Sequence, residues 1–126
     1  DVYKRQLDMK EVVELGRSWA YAPEITIEGN DFISCGFDKS ERCYQLENNN
    51  LKAKKLELKL AGSKDNPVRN PAFFIKNWNA EKAEVLVNGK PLKNARTGIN
   101  HELEGDNLVI FLFLEKDEPV NITINP

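Results

Sequence analysis

The sequence has little of what usually announces chemistry. It holds a single histidine, His101, and two cysteines, Cys35 and Cys43, with no Cys-x-x-Cys pair. A Cys/His zinc centre is therefore not expected, and neither is any other metal or cofactor. No phosphate-cradling glycine loop, no Gly-x-Ser-x-Gly elbow, no His-Glu-x-x-His motif and no dinucleotide fingerprint is present. The longest apolar run, Leu108 to Leu114, has seven residues and is too short to cross a bilayer. Neither sign of charge dominates: 18 basic and 20 acidic side chains are interspersed, for a net charge of −2. That balance argues against a nucleic-acid partner, which calls for a basic stripe.

What the sequence does have is short alternating runs. A length of 126 residues is enough for one domain with an ordinary core. The run Asn70-Pro71-Ala72-Phe73-Phe74-Ile75-Lys76-Asn77-Trp78 predicts a strand, with Phe73, Ile75 and Asn77 on one face and Phe74, Lys76 and Trp78 on the other. Leu56, Leu58 and Leu60 alternate with Glu57 and Lys59, which is period 2 rather than the period of a helix. Ile25-Ile27, Phe32-Phe37, Arg42-Leu46, Ala83-Val87 and Val120-Ile124 read the same way. Asn88-Gly89 predicts a tight hairpin, because both positions must tolerate positive φ, and Pro91 beyond it predicts an edge strand. Glu104 to Asn107 reads as a turn before the strand Leu108 to Leu114, which is apolar on both faces. Such a strand is either central in a two-layer fold or covered by something else. Met9 to Leu15 fits a strand or a short helix. Together these give an all-β fold, an antiparallel β-sandwich with a core drawn from Phe73, Ile75, Val85, Val87, Leu108, Ile110, Leu112, Ile122 and Ile124.

The first six residues, Asp1-Val2-Tyr3-Lys4-Arg5-Gln6, resemble the translation of a sequencing-library adapter. Residues 1–6 are read as a scar and excluded from the fold. The expected organisation is then a single β-sandwich domain over residues 7–126, the C-terminal part of a longer protein of metagenomic origin.

Candidate binding residues are few, and each has a structural rival. Trp19 and Tyr21 stand two apart in a loop-like stretch, either as plugs at the edge of the core or as a sugar-stacking platform. Trp78 offers a third aromatic. Tyr44 and His101, with Arg42 and Arg96, are the right residue types for the base and charge neutraliser of a lyase. A hydrogen-bonded surface histidine is the competing reading of His101. Lys52, Lys54, Lys55 and Lys59 read as the solvated face of a sheet. Two buried thiols are preferred for Cys35 and Cys43, with a cross-hairpin disulfide as the alternative.

Residues 63–124 resemble the C-terminal β-sandwich of large secreted bacterial proteins related to polysaccharide lyases and glycoside hydrolases. The resemblance rests on Asn70 to Trp78, Val85 to Lys90, Arg96 to His101 and Leu103 to Ile124, with Phe111 where the pattern has Trp. It implies a secreted or periplasmic accessory domain without catalytic residues of its own. The partners it implies are an upstream catalytic domain of the same polypeptide and polysaccharide. A carbohydrate-binding module using Trp19, Tyr21 or Trp78, and the terminal part of a lyase sandwich using Tyr44 or Arg42, are the rival expectations.

Overall fold

A computed structural model describes residues 22–38, 42–102 and 105–126. Residues 1–6, the segment Met9 to Leu15, and Trp19 and Tyr21 lie outside the described residues. The described chain is all β. In order, the strands are β1 (Ile25–Ile27), β2 (Phe32–Asp38), β3 (Cys43–Asn48), β4 (Leu56–Leu60), β5 (Val68–Arg69), β6 (Ala72–Lys76), β7 (Glu84–Val87), β8 (Lys90–Pro91), β9 (Ala95–Glu102), β10 (Gly105–Leu112), β11 (Glu115–Lys116) and β12 (Val120–Asn125).

Two five-stranded sheets form the body of the sandwich. The first runs β1-β4-β12-β7-β8 and the second β2-β3-β6-β10-β9. Pairing is antiparallel throughout except between β3 and β6, which run parallel. A parallel pair needs a crossover, and this one passes through β4 in the opposite sheet. Sequence alternation places the core. Leu56, Leu58, Leu60, Val85, Val120, Ile122 and Ile124 of the first sheet meet Phe32, Tyr44, Leu46, Phe73, Ile75, Leu108, Ile110 and Leu112 of the second in one cluster. Burying such side chains contributes about 1.5–3 kcal/mol each before the entropy of ordering the chain is charged against it. Val87 is only half-buried, because it pairs with Lys90 of the two-residue edge strand β8.

Asparagines set where β6 starts and stops. Asn70 has φ 41°, and its side-chain oxygen accepts the Leu114 N–H at 3.0 Å, while its own N–H donates to the Leu114 carbonyl at 2.7 Å. At the other end Asn77 has φ 60° and donates its N–H to Asn107 Oδ1, and its carbonyl accepts from Asn48 Nδ2. The positive φ at Asn77 breaks the alternation expected for Trp78. Instead of sharing the outer face of Phe74 and Lys76, the indole turns into the core, fully buried, with Nε1 donating to the Lys82 carbonyl at 3.0 Å.

Two further expectations are corrected, and one short strand pair is new. The ladder between β9 and β10 extends to Glu102 opposite Gly105, so β10 begins inside the stretch read as a turn. The short pair β5–β11 was not visible in the sequence, since two-residue strands carry no periodicity. Cys43 is buried but Cys35 is exposed, and no disulfide joins them. A bulge between Ser34 and Gly36 leaves Cys35 unpaired in the ladder and turns it outward.

Candidate functional site: the outer face of the second sheet

The two outward faces differ in chemistry. Paired residues across a sheet point to the same side, so the registers give each face directly. On the first sheet one outward row is Thr26, Lys59 and Asn121, and the next is Glu57, Thr123, Leu86 and Pro91. Lys55 and Glu57 form an ion pair at 2.9 Å with both side chains largely in solvent. Of the four lysines expected on a solvated sheet face, Lys59 is on it, while Lys52, Lys54 and Lys55 lie in the loop that leads into β4.

The second sheet is different. One outward row runs Gly36, Gln45, Phe74, Val109 and Gly98, and Phe111 stands opposite Arg96 in the next. Val109 is 45% exposed, Phe111 37% and Phe113 44%, and Ile33 at the far edge is also exposed. Four of the five large apolar side chains exposed among the described residues therefore lie on or beside one sheet face; Leu51, in a loop, is the fifth. The apolar strip is bordered by Gln45, Glu47, Lys76 and Arg96. The guanidinium of Arg96 sits over the Phe113 ring, 5.5 Å from its centroid. Phe111 and Phe113 meet edge to face, with centroids 4.9 Å apart and planes at 68°.

The predicted site residues are dispersed. Arg96 borders the apolar strip and is exposed. His101 is exposed at the far end of β9, with Nδ1 at 2.7 Å from Asp106 Oδ1, the hydrogen-bonded surface histidine that was the competing reading. Tyr44 is buried in the core, stacked on Phe73 and edge-on to Phe37, and its hydroxyl donates to the Pro23 carbonyl at 2.6 Å. Burial pushes its phenol above the usual value. A tyrosine held neutral and bonded inside the core is the wrong base for a lyase. Tyr44, Phe73, Ile110 and Thr97 share one row across the sheet. His101, four residues beyond Thr97, is therefore about 13 Å further along the strand direction, and Arg42 lies beyond Tyr44 the other way. The groove that would join Tyr44, Arg42 and His101 does not form. Trp78, with no exposed surface, offers no sugar platform.

The site that sequence reasoning missed is Val109, Phe111 and Phe113. Its signal was the two-sided apolarity of the strand: with Leu108, Ile110 and Leu112 assigned to the core, alternation left Val109, Phe111 and Phe113 on the other face, which was not read as a site.

No protein-family pattern, curated protein or solved structure matches this chain.

Proposed function

We propose that this chain is a non-catalytic accessory β-sandwich of a secreted glycan-degrading enzyme, docking through the outer face of its second sheet against a neighbouring domain of the same polypeptide. The observation that carries the docking is the exposed strip of Val109, Phe111 and Phe113, on a fold whose opposite outward face is mainly polar, with Thr26, Lys59, Asn121, Glu57 and Thr123 beside Leu86 and Pro91. The glycan context is supported by the sequence resemblance of residues 63–124.

Area favours a tethered partner. Five strands about 4.8 Å apart and three outward rows about 7 Å apart make a face of roughly 400–500 Å². Covered on both sides, that falls within the roughly 600–1,500 Å² of inter-domain contacts, and below the roughly 1,200–2,000 Å² of stable separate partners. Tethering raises the effective concentration enough to hold such a contact closed. Sugar stacking is disfavoured by ring geometry, since Phe111 and Phe113 stand at 68° and do not present one flat surface.

The test pairs the chain with the domain encoded upstream of it, and separately with a panel of polysaccharides. Association with that domain is expected, and is expected to be lost in the double variant Phe111→Ser, Phe113→Ser. Failure to associate, together with polysaccharide binding that is lost in Arg96→Ala or Phe111→Ala, would replace this reading with a carbohydrate-binding module.

A further inference from the structure

A sheet edge is a row of main-chain donors and acceptors open to another strand, and natural folds blunt such edges. The two large sheets have four edges, β1, β8, β2 and β9. Three of them are blunted. β1 has three residues and follows Pro23, β8 has two residues including Pro91, and β2 is bulged at Cys35 with Gly36 at φ 98°. β9 carries no such device. It spans eight residues, contains no proline, and keeps an unbroken register with β10 from Ala95 to Glu102. Among the described residues it pairs on one side only.

The direction of its main chain follows from one bond. The Phe113 N–H donates to the Asn94 carbonyl at 2.9 Å, in register with the β9–β10 ladder. In an antiparallel pair every second residue faces the partner strand. Arg96, Gly98 and Asn100 therefore direct their main-chain groups to β10. Ala95, Thr97, Ile99 and His101 direct theirs to the open edge. The centre of those four is Gly98. Its φ is not positive and a Cβ built on it meets nothing within 4 Å, so neither backbone conformation nor packing among the described residues calls for glycine there. A side chain at this position would stand on the outer face, clear of the open edge.

We infer that β9 pairs antiparallel with β9 of a second copy of this chain, about a two-fold axis at Gly98. In this register Thr97 lies opposite Ile99 of the second copy, and Ala95 opposite His101. The N–H and C=O groups of all four outward-directed residues then find partners. Arg96 falls beside Asn100 of the second copy, so no like charges meet. A two-fold contact uses the same patch on both copies, and a strand with its dyad at its own centre satisfies that condition. The two second sheets become one continuous ten-stranded sheet, and the strips of Val109, Phe111 and Phe113 from both copies lie on the same side of it. The inference needs only the edge and stands apart from the docking proposal.

Analytical ultracentrifugation of the 126-residue chain over a range of concentrations is expected to show the mass rising from one chain towards two. Thr97→Pro removes an outward-directed N–H without touching the β10 ladder, and is expected to hold the chain monomeric with its fold intact. Gly98→Cys, in a Cys35→Ser background, reads the register directly. Facing Cα atoms at a non-hydrogen-bonded antiparallel pair are about 4.5 Å apart, within disulfide range. Oxidation is expected to yield a covalent dimer from Gly98→Cys and none from Arg96→Cys alone. A monomer at millimolar concentration, a dimer unaffected by Thr97→Pro, or equal cross-linking from both cysteine positions would each overturn the inference.

Discussion

The hydroxyl of Tyr44 donates to the main-chain carbonyl of Pro23 at 2.6 Å, tying the second sheet to the chain that leads into the first. The bond sits in the core, with Phe37 and Phe73 packed on the ring. Tyr44→Phe keeps the ring and leaves a carbonyl without its donor, and is expected to cost about 1–3 kcal/mol in denaturant unfolding.

Tyr44 also sets a pH dependence. Burial raises its phenol above the ordinary value near 10, so the unfolded chain loses this proton first as pH rises. The stabilisation is complete below about pH 10 and is lost above it, at up to about 1.4 kcal/mol per pH unit. Unfolding free energies measured from pH 9 upward are expected to fall less steeply for Tyr44→Phe than for the parent chain. Parallel slopes would show that the phenol is not protected.

Neighbouring residues of β10 separate the buried face from the open one. Ile110 is fully buried and Val109 is 45% exposed. Ile110→Ala is expected to cost about 2–5 kcal/mol, and Val109→Ala within about 0.5 kcal/mol. Comparable losses at both positions would mean that the chain alone covers the outer face.

Asn48 is a buried clamp at the end of β3. Its Nδ2 donates to the carbonyls of Lys52 and Asn77, and its Oδ1 accepts the Asn50 N–H at 2.8 Å. Asn48→Ala leaves those three main-chain groups without this partner, and a loss of about 1–3 kcal/mol or more is expected. Hydrogen exchange at the Asn50 amide is expected to quicken in step.

Gly62 is required by space. A Cβ there would lie 2.6 Å from the Glu118 carbonyl oxygen and 2.9 Å from Val68 Cγ2. Gly62→Ala is expected to cost about 1–3 kcal/mol, whereas Gly98→Ala, facing open space, is expected to leave the melting temperature within a degree or two of the parent chain.

Local periodicity by itself determined the all-β class, because alternation of apolar and polar residues is a property of each strand before it meets another. It placed Phe73, Ile75, Leu108, Ile110, Leu112, Ile122 and Ile124 in the core and Leu56, Leu58 and Leu60 on one face of a strand. It also placed the Asn88-Gly89 hairpin, where the structure has φ 51° and 82°, and the edge position of Pro91. Non-local pairing was beyond its reach. The parallel contact of β3 with β6, the burial of Trp78 behind the positive φ of Asn77, and the separation of Tyr44 from His101 all depend on segments distant in sequence. The candidate site shows the same division. Both sides of Leu108 to Leu114 are apolar, and the core expected from the sequence took Leu108, Ile110 and Leu112, which are fully buried. What only the tertiary structure decided is that, among the described residues, the first sheet covers that side alone and Val109, Phe111 and Phe113 stay exposed.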